Sequence, residues 1–181
     1  IENNLQPNIY SFQVLDDIIR AAEAKGLEQL PVHIKIDSGM RRLGFYQEDM
    51  PQLITRLQGQ KVVRVASVFS HLAGSDEAQF DPFTHEQAQY FDACATQLQQ
   101  ALNYPIIKHI CNTAGIERFP EYHHDMVRLG LGLYGISPVD NRLLHPISTL
   151  QSTILQIHEV PATETVGYSR RGKLTRPSRI A

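Results

Sequence analysis

Hydrophobic period, and the way it alternates along the chain, limits the fold more than any other feature. Pro31 to Asp37 sets Val32, Ile34 and Ile36 against His33, Lys35 and Asp37, the period of two that makes a strand. Val62 to Phe69 is a β-branched run, too apolar for a half-solvated strand and suited to one buried on both faces. Ile106 to Cys111 supplies a third strand. Helical stripes lie between these segments. Ser11 caps one whose apolar face is Val14, Leu15, Ile18 and Ala22, ending near Gly26. A shorter helix over Gln47–Gln58 stops at Gly59. Thr84-His85-Glu86-Gln87 has the form of a capping box ahead of Ala88, Phe91, Ala95, Leu98 and Leu102. A short helix from about Ala114 to Phe119 and a last strand near Gly130–Tyr134 close the series. Strand, helix, strand, helix is the order of a parallel α/β architecture.

The pattern changes beyond Ser137-Pro138, and the boundary falls near residue 146. Ile147 to Val160 reads as one extended stretch, and Val166-Gly167-Tyr168-Ser169-Arg170 with the Arg-rich tail reads as strands and turns of a β-rich module. The segment 147–181 is too short to bury a core alone, so it is incomplete or docked. At 20% charged and 42% hydrophobic residues the chain has ordinary globular composition, and a net charge of −2 argues against a nucleic-acid surface. The basic run Arg170-Arg171-Gly172-Lys173, with Arg176 and Arg179, reads as a solvated face. No apolar run approaches the roughly 18 residues of a membrane span. No basic-then-apolar leader is present, and Cys94 and Cys111 form neither a metal spacing nor a disulfide framework, so a cytoplasmic setting is expected. Ile1 in place of an initiator Met points to a start inside a longer reading frame.

Chemistry-bearing residues gather at strand ends, the edge where βα folds collect ligands. Lys35 shares parity with His33 and Asp37, so it points away from the helix layer, where an ammonium needs an anion; Asp37 would make this a plain buried ion pair. Gly39 and Gly44 bracket Arg41-Arg42, as a tight loop presenting a guanidinium to an anion requires. His71 directly follows a buried strand and reads equally as a hydrogen-bonding residue or a catalyst. Asn112-Thr113-Ala114-Gly115 joins a strand to a helix start: a hydroxyl beside free amides suits phosphate, and a plain Thr N-cap explains it as well. Gly130-Leu131-Gly132 adds backbone amides nearby. Neither His71 with Asp76 nor His123-His124-Asp125 has a recognised metal-ligand spacing, so no metal site is expected.

Taken in order, His33-Ile34-Lys35-Ile36-Asp37-Ser38-Gly39-Met40-Arg41-Arg42-Leu43-Gly44-Phe45, Asn112-Thr113-Ala114-Gly115 and Met126-Val127-Arg128-Leu129-Gly130-Leu131-Gly132-Leu133-Tyr134-Gly135 resemble alanine racemases. The resemblance spans essentially all 181 residues. It implies a partial (βα)8 TIM barrel, its later strands in residues 1–146, followed by the beginning of a β-rich domain in 147–181. It implies pyridoxal 5'-phosphate as cofactor and a homodimer with shared active sites. Carried across, Arg42 resembles the arginine near the cofactor's phenolic oxygen and the substrate, and Lys35 a lysine carbamylated in some members. Asn112 and Thr113 fall at the phosphate site, helped by the amides of Gly130 and Leu131. Arg128 matches the arginine on the pyridine nitrogen, His71 the histidine linking it to the catalytic tyrosine, and Tyr168 that tyrosine. The family's cofactor lysine, in a Lys-Ala-Asn-Ala-Tyr-Gly type motif, has no counterpart here. The 181 residues are therefore expected to be inactive alone.

The implied reaction is two-base proton transfer at the alanine Cα, supplying D-alanine for peptidoglycan. An unperturbed Tyr, with a pKa of about 10, needs positive potential to serve as a base, which a chain from Arg128 through His71 would provide. A permanently charged arginine at the pyridine nitrogen makes a weak electron sink, which favours proton exchange over decarboxylation. The rivals are another pyridoxal-phosphate barrel enzyme (a broader amino-acid racemase, or an amino-acid decarboxylase, which places a carboxylate there), a non-catalytic cofactor-binding module of the same barrel type, and a metal-dependent barrel hydrolase.

Overall fold

The computed structural model describes Asn3 and residues 5–181, in two compact units, Ile1–Ile147 and Ser148–Ala181. In the first unit, β1 (Asn8–Ile9), β2 (Leu30–Lys35), β3 (Val63–Phe69) and β4 (Ile107–His109) form a parallel sheet in sequential order. They alternate with α1 (Phe12–Ala24), α2 (Met50–Gln58), α3 (Asp81–Leu102) and α4 (Thr113–Arg118). Sequential parallel order with a helix after each strand is the build of a barrel wall, and the α/β expectation holds.

The helices form where their caps allow. Ser11 accepts the Val14 amide at 3.3 Å and starts α1, whose Leu15 and Ala22 are buried. Gly59 ends α2 by donating its amide to Thr55 O. Ile34, Ile36, Val65, Val68, Leu53, Phe91 and Leu98 are among the buried residues of one apolar cluster between sheet and helices.

The β2–β3 register carries a shift that matters for the site. Val32 pairs with Val65, but His33 pairs with Ser67, so Ala66 is an extra residue on β3. A bulge of this kind reverses which face the following side chains take. Val65 and Val68 thus both reach the core while Ser67 and Phe69 join His33 and Lys35 on the opposite face. The expectation that β3 is buried on both faces fails at its start, where Arg64 is exposed with its guanidinium over the Tyr104 ring.

Three further expectations are corrected. The capping box at Thr84 does not form: α3 begins at Asp81 with Pro82 in its first turn, where a missing N–H costs nothing, and Thr84 is fully buried inside the helix. The last strand near Gly130–Tyr134 is a 3-10 turn over Leu131–Tyr134. The amides of Gly130 and Gly132 are drawn to the Thr113 hydroxyl, which leaves no ladder for a strand. Within Ile147 to Val160 only β5 (His158–Val160) is a strand, because only that part finds a partner.

In the second unit, β5 pairs antiparallel with β8 (Ser178–Ile180), and β6 (Thr165–Val166) with β7 (Gly172–Lys173). The β6–β7 turn carries Tyr168, 97% exposed, followed by Ser169 and Arg170 with positive φ. Among the described residues, no helix is long and apolar enough to cross a membrane.

Candidate functional site

The C-terminal ends of β2, β3 and β4 bring Lys35, His71, Asn112 and Thr113 to one edge of the first unit, and the segment after α4 returns Arg128 to it. Asp37 organises the loop after β2. Its Oδ1 accepts the amides of Gly39 and Arg41 at 3.0 and 2.9 Å, and its Oδ2 the amide of Arg42 at 2.9 Å. Gly44 closes the loop at φ +132°, where a Cβ would lie 2.5 Å from the Asp37 nitrogen. Only glycine fits that approach.

With both oxygens spent on amides, Asp37 is not the close counter-ion that strand parity implied for Lys35. Lys35 is 7% exposed, its Nζ 4.9 Å from the centroid of the Phe69 ring. Burial pushes its pKa down, the charges of Arg42 and Arg128 add to that, and Asp37 opposes them. Among the described residues, no carboxylate forms an ion pair with Lys35, Arg42 or Arg128. Three cations, none ion-paired and offset only in part by Asp37, leave positive charge at this edge.

Arg128 is the most constrained of these. Nη1 donates to His109 Nδ1 at 2.6 Å and to His109 O at 3.2 Å. Nη2 donates to Ser70 O at 2.6 Å, to Ile110 O at 3.1 Å and, at 3.4 Å, to His71 Nδ1. The guanidinium thus ties the ends of β3 and β4 together and orients two imidazoles. His71 and His109 are both pushed down to about 4, first by burial and then by the Arg128 charge. Both are neutral near pH 7, so each keeps a lone pair for the guanidinium.

Thr113 Oγ1 accepts the amides of Gly130 and Gly132 at 3.0 and 3.2 Å; Gly132, not Leu131, joins Gly130 there. Asn112 is consumed by the framework: its Oδ1 accepts Gly115 N and Ser75 Oγ, and its Nδ2 donates to Leu72 O. Gln87, from α3, accepts the Ala73 amide and donates to His71 O, fixing the backbone on either side of Leu72. A cleft of about 450 Å³ is lined by His71, Thr113, Arg128, Gly130 and Leu131, with Met40, Asp76 and Asn112.

Sequence reasoning missed His109 and Ser67. The signal for His109 was the alternation that sets it opposite the buried Ile110 just beyond β4. Ser67 was hidden by the bulge at Ala66. Tyr168 belongs to the second unit.

Among the described residues, Arg128 and Thr113 each keep a side-chain donor uncommitted on the lining of the cleft. Four of the five Arg128 N–H groups are used by the acceptors just named, which leaves Nε–H. Thr113 Oγ1 accepts twice and keeps its own hydrogen. A cationic donor and a hydroxyl donor in a cleft without an ion-paired carboxylate fit a ligand with a ring nitrogen and a phosphate, so the residues present fit pyridoxal phosphate. Fold and cleft together define a parallel βα-barrel protein that gathers cationic and hydroxyl side chains at its C-terminal strand edge.

Comparison narrows the class to a family. The model of the alanine racemase N-terminal domain matches residues 1–138, and the chain belongs to that family. It is 33% identical to alanine racemase 1 of Oceanobacillus iheyensis, covering all of this chain and 49% of that protein. It is 30% identical to the alanine racemase of Nitratidesulfovibrio vulgaris, covering all of this chain and 50% of that one. The chain therefore spans about half the length of the curated relatives it matches. The crystal structure of alanine racemase from a D-cycloserine-producing Streptomyces lavendulae superimposes with a TM-score of 0.84 at 27% identity, over 99% of this chain and 49% of that one. The alanine racemase of Bartonella henselae, crystallised with covalently bound pyridoxal phosphate, shares the fold with a TM-score of 0.76 at 24% identity, over 98% of this chain and 48% of that one.

Proposed function

We propose that the protein carrying this chain interconverts L- and D-alanine with pyridoxal phosphate, as a cytoplasmic homodimer supplying D-alanine for peptidoglycan. The observation that carries the reading is Arg128: a half-buried guanidinium, oriented by two neutral imidazoles, whose Nε–H has no partner among the described residues and would be left for a ring nitrogen. When bound, pyridoxal phosphate supplies the electron sink that acidifies the alanine Cα–H. Arg128 cannot readily yield its proton, so it limits that sink and favours proton exchange over loss of carbon dioxide. Thr113 would donate its hydroxyl hydrogen to the phosphate while its oxygen holds the Gly130 amide, and Asn112 keeps that turn in place. Leu131 takes part as a wall of the cleft.

Arg42 would approach the cofactor's phenolic oxygen and the substrate. Carbamylation of Lys35 would turn a desolvated cation into an anion opposite Arg42, and its lowered pKa supports the neutral amine that this reaction needs. Tyr168 of a second copy holds or takes the proton at its Oη, aided by the positive potential relayed from Arg128 through His71. A lysine in the family's cofactor motif is the base on the other face. The 181 residues lack that motif and are inactive by themselves.

The test is exchange of the alanine Cα proton in deuterated water by the complete reading frame. Cofactor binding without exchange would sink the reading. For the 181 residues alone, added pyridoxal phosphate should give no stable site-specific absorbance band, and turnover would overturn the assignment of the missing lysine.

A further inference from the structure

Behind Arg128 lies a line of polar contacts that crosses three strands. His109 Nε2 lies 3.1 Å from Ser67 Oγ, and Ser67 Oγ lies 2.6 Å from His33 Nδ1. The arginine fixes the order of every hydrogen along it. A guanidinium can only donate, so His109 Nδ1 must accept, and the single hydrogen of the neutral ring sits on Nε2. That hydrogen goes to Ser67 Oγ. The Ser67 hydroxyl has one proton of its own, and its remaining neighbour on the line is His33 Nδ1. Each link is an acceptor from one side and a donor to the other, from Arg128 through His109 and Ser67 to His33.

We propose that Ser67 and His33 are positioning residues for the Arg128 guanidinium, acting through His109: by taking up the Nε2 hydrogen, they hold Nδ1 as a bare acceptor facing the arginine. Ser67 is 1% exposed and His109 5%, so water cannot substitute for either partner. The Phe69 ring, stacked on His109 with centroids 5.0 Å apart and planes 1° apart, blocks rotation of the imidazole. The charged groups facing His109 are Arg128 and, across Ser67, His33; both oppose a charge on it. The bulge at Ala66 is what gives β3 a hydroxyl at this level, since without it Ser67 would face the helices. The inference rests on the racemase reading only for the reaction that Arg128 serves; the order of hydrogens stands without it.

The test reads tautomers directly, by long-range 1H–15N correlation on the chain labelled at histidine. His109 is expected to carry its hydrogen on Nε2, with Nδ1 bare, from pH 5 to pH 8. In Ser67→Ala a second His109 tautomer should appear, and Ser67→Thr should restore the single form. Should Ser67→Ala not fold, His33→Phe serves at a half-buried position, and hydrogen exchange at His109 Nε2 should quicken at least about tenfold. A wild-type hydrogen on Nδ1, or folded variants with unchanged His109 signals, would overturn the proposal. In the complete reading frame, Ser67→Ala should lower kcat about tenfold, the factor carried by one hydrogen bond to a charged group, with KM for alanine unchanged. If the wild type does not racemise alanine, the functional reading fails and the tautomer result stands. If it does and Ser67→Ala matches its kcat, the positioning role fails instead.

Discussion

His71 and His109 set how the first unit responds to acid. Both are near 4 in the folded chain and near 6.5 when unfolded, so between those values the unfolded chain binds more protons. Stability is then full above about pH 6.5, falls as pH drops through that window and levels below about pH 4. Each group contributes on the order of 3 kcal/mol at most across it. Urea midpoints measured from pH 8 to pH 4 should show the steepest loss in this interval, and a flat profile there would contradict the burial of both rings. Gly44 makes a second residue-scale prediction. Gly44→Ala forces a Cβ to 2.5 Å from the Asp37 amide at a φ that side chains avoid, so it should cost at least about 1–3 kcal/mol in denaturant titration. The loss should come with a changed Arg42 environment, because the same loop amides hold Asp37.

The elements were legible where a single period governed them. Val14, Leu15, Ile18 and Ala22 announced α1, and the alternation from Pro31 to Asp37 announced β2, because each segment packs on one face only. Legibility failed where tertiary partners override local signals. Thr84 looks like a cap until Pro82 starts the helix earlier, and Gly130–Tyr134 looks like a strand until Thr113 claims its amides. In the site, His71 and Thr113 stood out by their place at strand ends and Arg128 only through the resemblance, whereas Ser67 needed the bulge register, which no composition reveals, and His109 lay unread in β4. The mistaken cap carries its own test. Thr84 Oγ1 is buried without a hydrogen-bond partner among the described residues, so the near-isosteric Thr84→Val should be neutral or raise stability by about 1 kcal/mol. A clear loss in thermal or urea unfolding would mean the hydroxyl has a partner.

At the scale of the molecule, much apolar surface stays in water. In the first unit Leu129, Leu131, Leu133 and Tyr134 are each more than half exposed, and in the second Leu150 and Leu155 are almost wholly so. The parallel sheet also ends in two strands, β1 and β4, that each have one neighbour. Unpaired edges and contiguous exposed leucines drive association. The chain at micromolar concentration should bind a hydrophobic dye and sediment as more than a monomer, with the fraction rising with concentration. A dye-silent monomer across that range would contradict the exposure seen here. The loop at Asp37 has a consequence that reaches beyond contact distance. Because that carboxylate is tied to backbone amides and offsets its neighbours only in part, Lys35, Arg42 and Arg128 leave a net positive field at this edge of an otherwise mildly acidic chain. A phosphorylated ligand should be drawn toward this edge before it touches it, and its capture should slow as added salt shortens the screening length toward about 8 Å.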